Sequence, residues 1–144
     1  MKKAMPIIVF FLGLFFSSAT NASEFKLYPG AKLDEKATKS ANEMLQQAKE
    51  KDAKATIYTT ADSFQKVTSF YKNMAQEYSM PNASGTSGKP RKLSGKEKRD
   101  LWEAYFIFDG AKDLQASKLW IKVQRPHVGL EIQDVTSILV KEKK

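Results

Sequence analysis

The sequence predicts an α+β fold: an antiparallel sheet of about four strands, one aromatic amphipathic helix packed on one face, and a peripheral N-terminal helix, in the order α-β-α-β-β-β. Three observations carry this reading. In Ala55–Tyr78 a β-branched and aromatic stretch gives way to Phe64, Val67, Phe70, Tyr71, Met74 and Tyr78 at three- and four-residue steps, a strand followed by a helix. Leu101–Phe108 is apolar on both faces, and Lys118–Gln124 alternates, with Leu119, Ile121 and Val123 on one side. The last three strands are joined by short connections, which favours an antiparallel meander that the first strand then joins.

The elements follow in order. Met1-Lys2-Lys3 is a basic start, Ile7–Phe16 is apolar, and Thr20-Asn21-Ala22 offers small residues where a signal peptidase requires them. The wider run Ala4–Phe16 contains Pro6 and Gly13 and, at 13 residues, is shorter than the roughly 20 residues of a membrane span. Residues 1–22 therefore read as a cleavable signal peptide, cut after Ala22, with a periplasmic or secreted location and no transmembrane span after cleavage. Residues 23–144 read as a single domain. Without Lys2 and Lys3 the formal charge falls from +8 to +6. Such a balance suits solubility, and it also suits a small anionic ligand or peripheral contact with an anionic envelope surface. Export makes nucleic acid an unexpected partner. The chain has no cysteine, so the exported domain must fold without disulfides.

Tyr28-Pro29-Gly30 reads as a turn. A helix is expected from an Asp34 N-cap, with a narrow stripe of Leu33, Ala37, Ala41, Met44, Leu45 and Ala48. Alanine buries little apolar area, which places this helix at the periphery. Asp62, three residues before Gln65, is the expected cap of the aromatic helix, with Thr60 or Ser63 as alternatives. Residues 79–99, SMPNASGTSGKPRKLSGKEKR, are rich in glycine, proline and serine and read as a flexible basic loop. Six basic residues stand there against Glu97, a net +5. Lys89, Arg91 and Lys92 are its candidate anion-binding residues; the plain alternative is a solvated insertion. Asp109-Gly110 closes the strand before it. Val135–Val140 is the last strand, ending in a lysine-rich tail.

A catalytic set is not found. His127 is the only histidine, carboxylates lack ligand spacing, and no nucleophile motif or phosphate-binding glycine loop occurs. Neither metal nor cofactor is expected, and the domain reads as a non-enzymatic binding module for an unknown protein or small anionic ligand. Arg125, His127 and Asp134 form the one trio from which a small hydrolase or isomerase site is conceivable. A third reading is an envelope-associated structural protein whose basic loop and tail (Lys141, Lys143 and Lys144) rest on anionic surfaces. Trp120, between Lys118 and Lys122, marks the second face of the sheet together with Tyr105, Ile107 and Leu139. That face needs cover from the first helix or from another molecule, so Trp120 and Tyr105 are the remaining candidate binding residues.

Three blocks carry a resemblance: Tyr28-Pro29-Gly30-Ala31-Lys32; Tyr58–Phe64 with Lys66-Val67, Phe70-Tyr71-Lys72; and Asp134–Val140. They resemble small exported bacterial proteins of uncharacterised function, with a Y-P-G-A start, a T-x-D-S-x-x-K-V-x-x-F-Y-K strand-to-helix unit and a D-V-T-x-I terminal strand. The resemblance implies a fold and an exported location, and no catalytic residue. The basic loop lies outside it.

Overall fold

The computed structural model describes residues 24–93, 98–129 and 131–144. The leader 1–22 and, within the basic loop, Lys96 and Glu97 lie outside the described residues. The class is α+β with two helices and a mostly antiparallel sheet, but the sheet has seven strands rather than about four. The four long strands are the expected ones: β2 (Ala53–Thr60), β5 (Asp100–Ile107), β6 (Leu119–Arg125) and β9 (Thr136–Lys143). Three short strands extend them: β1 (Lys32–Leu33), β3 (Gln76–Tyr78) and β4 (Arg91–Lys92). The path runs β1-β2-β9-β6-β5-β3, with β4 also on β5, and every pairing is antiparallel. A separate hairpin joins β7 (His127–Val128) to β8 (Ile132–Gln133).

The aromatic helix, α2 (Phe64–Lys72), is capped by Ser63, whose hydroxyl accepts from the Lys66 N–H. Asp62 is drawn away from the capping role: its Oδ2 accepts from the Tyr28 hydroxyl at 2.6 Å. The helix also stops earlier than the stripe suggests, because Gln76–Tyr78 swings out to pair with β5 as β3. Tyr78 therefore belongs to the sheet, a case of strand pairing overriding local periodicity. Phe64, Val67 and Tyr71 are buried against Ala104, Phe106, Phe108, Ile121, Val123, Ile138 and Val140.

Tyr71 sits at the centre of this layer, wholly buried and in ring contact with Phe25, Phe70, Phe106 and Phe108. A buried phenol needs partners. Its hydroxyl donates to the Lys26 carbonyl and accepts from the Tyr28 N–H, both at 2.9 Å, so the segment before the Tyr28-Pro29-Gly30 turn is tied to the core.

The first helix, α1 (Glu35–Gln47), is capped by Asp34 and buries no residue of its own. It lies along the outer edge of β2. The Asn42 side-chain amide makes two bonds to Ala55, donating to its carbonyl at 2.7 Å and accepting from its N–H at 2.9 Å. One turn earlier the Thr38 hydroxyl accepts from the Ile57 N–H at 2.9 Å, and the Asp34 N–H donates to the Ile57 carbonyl at 2.8 Å. β1 pairs the next stretch, Tyr58 and Thr59. Side chains of a helix thus complete a strand edge that would otherwise offer open backbone groups to another chain.

Two outcomes test this account. Tyr71→Phe should lower stability by about 1–3 kcal/mol, by leaving the Tyr28 N–H and Lys26 carbonyl without their buried partner. Burial pushes the Tyr71 phenol well above its ordinary value of 10.0. Its contribution is therefore present below pH 10, where the unfolded phenol is also neutral, and is lost as pH rises through the higher folded value. Chemical denaturation across pH 8–11.5 should show a loss above pH 10 that is shallower in the variant. Asn42→Ala should cost about 1–3 kcal/mol and raise the tendency to self-associate, read by denaturation and light scattering; an unchanged protein would mean that the β2 edge needs no cover.

Candidate functional site

The second face of the sheet is built by the alternation of each strand, and register arranges it in three rows. Glu103 faces Gln124, and Gln124 faces Ser137. Tyr105 faces Lys122, Lys122 faces Leu139, and Leu139 faces Ile57. Ile107 faces Trp120, Trp120 faces Lys141, and Lys141 faces Ala55. Because α1 is held at the β2 edge and α2 occupies the opposite face, no helix covers the middle of these rows. Tyr105, Trp120 and Leu139 are left half-buried.

The structure brings three of the five candidate binding residues together here. Tyr105 and Trp120 are in ring contact, centroids 5.9 Å apart. Arg91, on β4 opposite Leu101, turns to this face and pairs with Glu103 Oε1 at 3.1 Å. Lys92 points the other way, to Asp100, and Lys89 is exposed apart from the cluster. Lys122, which flanks Trp120 in the sequence, and Glu103, which the sequence does not single out, complete the site. Lys122 Nζ stands 3.9 Å from Glu103 Oε2, and Glu103 is the buried carboxylate between it and Arg91. The alternation of its strand could have marked Glu103 as well, but only register puts Arg91 beside the pair. Burial draws the Lys122 ammonium below its ordinary pKa and the neighbouring Arg91 adds to this, while Glu103 opposes it. Burial, then the Glu103 charge, pushes the Tyr105 phenol up. Lys141 lies 5.7 Å from the centroid of the Trp120 ring and is anchored by Glu50 at 3.0 Å, so part of the indole surface is already occupied.

In the described part of residues 79–99 the loop is hydrogen-bonded to the sheet. The Ser84 hydroxyl donates to the Glu103 carbonyl and accepts from the Glu103 N–H, and the Gly85 N–H reaches the same carbonyl. This closes the β5 edge between β3 and β4. Glu77 accepts from the N–H and hydroxyl of Thr86, holding the loop over β3. Small polar groups, rather than apolar burial, make these contacts. Between the loop and Tyr105 runs a groove of about 340 Å³, lined by Glu77, Tyr78, Met80, Ser84 and Gly85 among others.

The trio of Arg125, His127 and Asp134 divides. Arg125 is a clamp: its guanidinium bonds the carbonyls of Asp62 and Asp134 and the Thr136 hydroxyl, and pairs with the Asp134 carboxylate at 3.3 Å. His127 is buried and its Nε2 lies 3.3 Å from Asp34 Oδ2, at the cap of α1. The tail lysines are partly engaged as well, Lys141 with Glu50 and Lys143 with the Gln115 carbonyl. Among the described residues no group of His, Asp and Glu is placed to hold a metal ion, and no helix is long and apolar enough to cross a membrane.

No family model, curated protein or solved structure matches the chain.

A Cβ at Gly88 would overlap the Ser84 carbonyl, so Gly88→Ala should displace the loop. Hydrogen exchange at the Glu103 and Gly85 amides is expected to quicken by an order of magnitude or so, about 1–2 kcal/mol of local opening, while the α2 core remains protected. Unchanged exchange would mean the loop is not anchored through Ser84.

Proposed function

We propose that this is an exported, non-enzymatic binding domain that holds its partner on the second face of the sheet, with the loop over residues 79–93 forming one wall. Export rests on the composition of Met1–Ala22, cut after Ala22, and on the resemblance to small exported bacterial proteins. The observation that carries the binding assignment is the half-buried Tyr105–Trp120 pair beside Lys122 on a face that neither helix covers. Aromatic rings with cations at their margins on an open sheet are the composition of recognition surfaces, where apolar area and charge act together. The engagement of Arg125 in backbone bonds and of His127 with Asp34 favours this reading over a hydrolase or isomerase, since neither side chain is left poised toward a substrate.

Native mass spectrometry of the mature protein from its own envelope fraction tests the assignment. The wild-type chain should begin at Ser23 and carry a reproducible added mass, either a small ligand or a protein. Trp120→Ala, with its fold checked by circular dichroism, should lose that mass. A folded variant that retained it in full would remove the sheet face as the binding surface.

A further inference from the structure

Within that surface, and resting on the reading just given, the charges are unevenly matched. Arg91 and Lys122 share a single carboxylate: Glu103 Oε1 goes to Arg91 at 3.1 Å, and Oε2 stands 3.9 Å from the Lys122 ammonium. The cluster therefore carries one surplus positive charge. The Lys122 side chain is only 27% exposed, so its hydration is cut on a face otherwise lined by Tyr105, Trp120 and Leu139. An ammonium in that position has lost water without gaining a close counter-ion, since 3.9 Å is beyond hydrogen-bond distance. Beside it the Tyr105 hydroxyl and the Trp120 indole N–H have no hydrogen-bond acceptor among the described residues, and both are donors. The Arg91 side chain is 51% exposed and uses Nε and one terminal nitrogen on Glu103, leaving further N–H groups toward solvent.

We propose that this cluster is an oxyanion site, and that Lys122 and Arg91, with the Tyr105 hydroxyl, receive a carboxylate or phosphate group of a small ligand. The anion would sit over Lys122 on the solvent side of the cluster and supply the missing charge. Glu103 orients the two cations, and its own negative charge weakens the site. Lys141, which pairs with Glu50 and lies over Trp120, forms the far wall rather than a contact to the anion. Recognition of a point charge on a partly dry surface explains why the Trp120 ring can be shared with a lysine and still belong to the site.

The test is a ¹H–¹⁵N titration of the full mature domain with inorganic phosphate, and separately with acetate, at ionic strength held constant with sodium chloride. Saturable shifts are expected at residues 91, 103–105 and 121–123, and the probe that saturates at the lower concentration identifies phosphate or carboxylate as the ligand's anionic group. Lys122→Met keeps the length and apolar stem of the side chain and should weaken binding about tenfold or more. Glu103→Gln should tighten it severalfold, because it removes the competing carboxylate while keeping the side chain's shape. As pH rises through the lowered pKa of Lys122, binding should fall earlier than an ordinary lysine would predict. Shifts that fail to saturate, that survive Lys122→Met, or that weaken in Glu103→Gln overturn the oxyanion site. If neither probe saturates while Trp120→Ala still strips the added mass, only the ligand class is wrong. If the mass also survives in Trp120→Ala, the surface itself is wrong.

Discussion

The bonds between the Asn42 amide and the backbone of Ala55 determine which surface of this protein faces its surroundings. An asparagine side chain carries the same donor and acceptor as a peptide group, so Asn42 can stand where a neighbouring strand would. Thr38, four residues earlier on the same helical face, does the same for Ile57. Together they fix α1 at the margin of the sheet. A helix with an alanine stripe contributes little by burial, and satisfying an open strand edge is a stronger reason for its position than apolar area. The second face is open as a consequence.

The opposite edge is closed on the same principle with different residues. Ser84 presents one hydroxyl to both backbone groups of Glu103, and β3 and β4 pair the strand on either side of it. With the outer edges of β2 and β5 met in this way, the two faces are distinguished by their side chains. There the two faces differ in kind. One is filled by α2, with Tyr71 at its centre and every buried polar group of that tyrosine matched. The other has half-buried aromatics and three cations: Lys141 pairs with Glu50, while Arg91 and Lys122 share the Glu103 carboxylate.

The same packing explains the fate of the polar residues that cluster near the end of the sheet. Arg125, Thr136 and Asp62 meet where β6, the turn before α2 and the start of β9 converge. Backbone carbonyls there need donors, and a guanidinium with five N–H groups can serve several at once. His127 takes the remaining role of linking the small hairpin to the cap of α1. These are residues that resemble a catalytic set by type and serve as joints by position.

The local chemistry of the sequence determined the class and its long elements. Period-two and period-3.6 patterns identified the four long strands, the aromatic helix with its buried residues, and the Asp34 cap, because these depend on neighbours within one strand or one turn. It also marked Tyr105, Trp120 and Arg91 as candidates. Tertiary structure alone decided the three short strands, the end of α2 at Lys72 and the contacts that the loop after residue 79 makes with the sheet. Each of these is held by hydrogen bonds to strands distant in the chain, and two- or three-residue strands leave no periodicity to read. Glu103 became part of the site, between Arg91 and Lys122, for the same reason. A cross-strand neighbour is set by register, and register is a property of the whole sheet rather than of any segment.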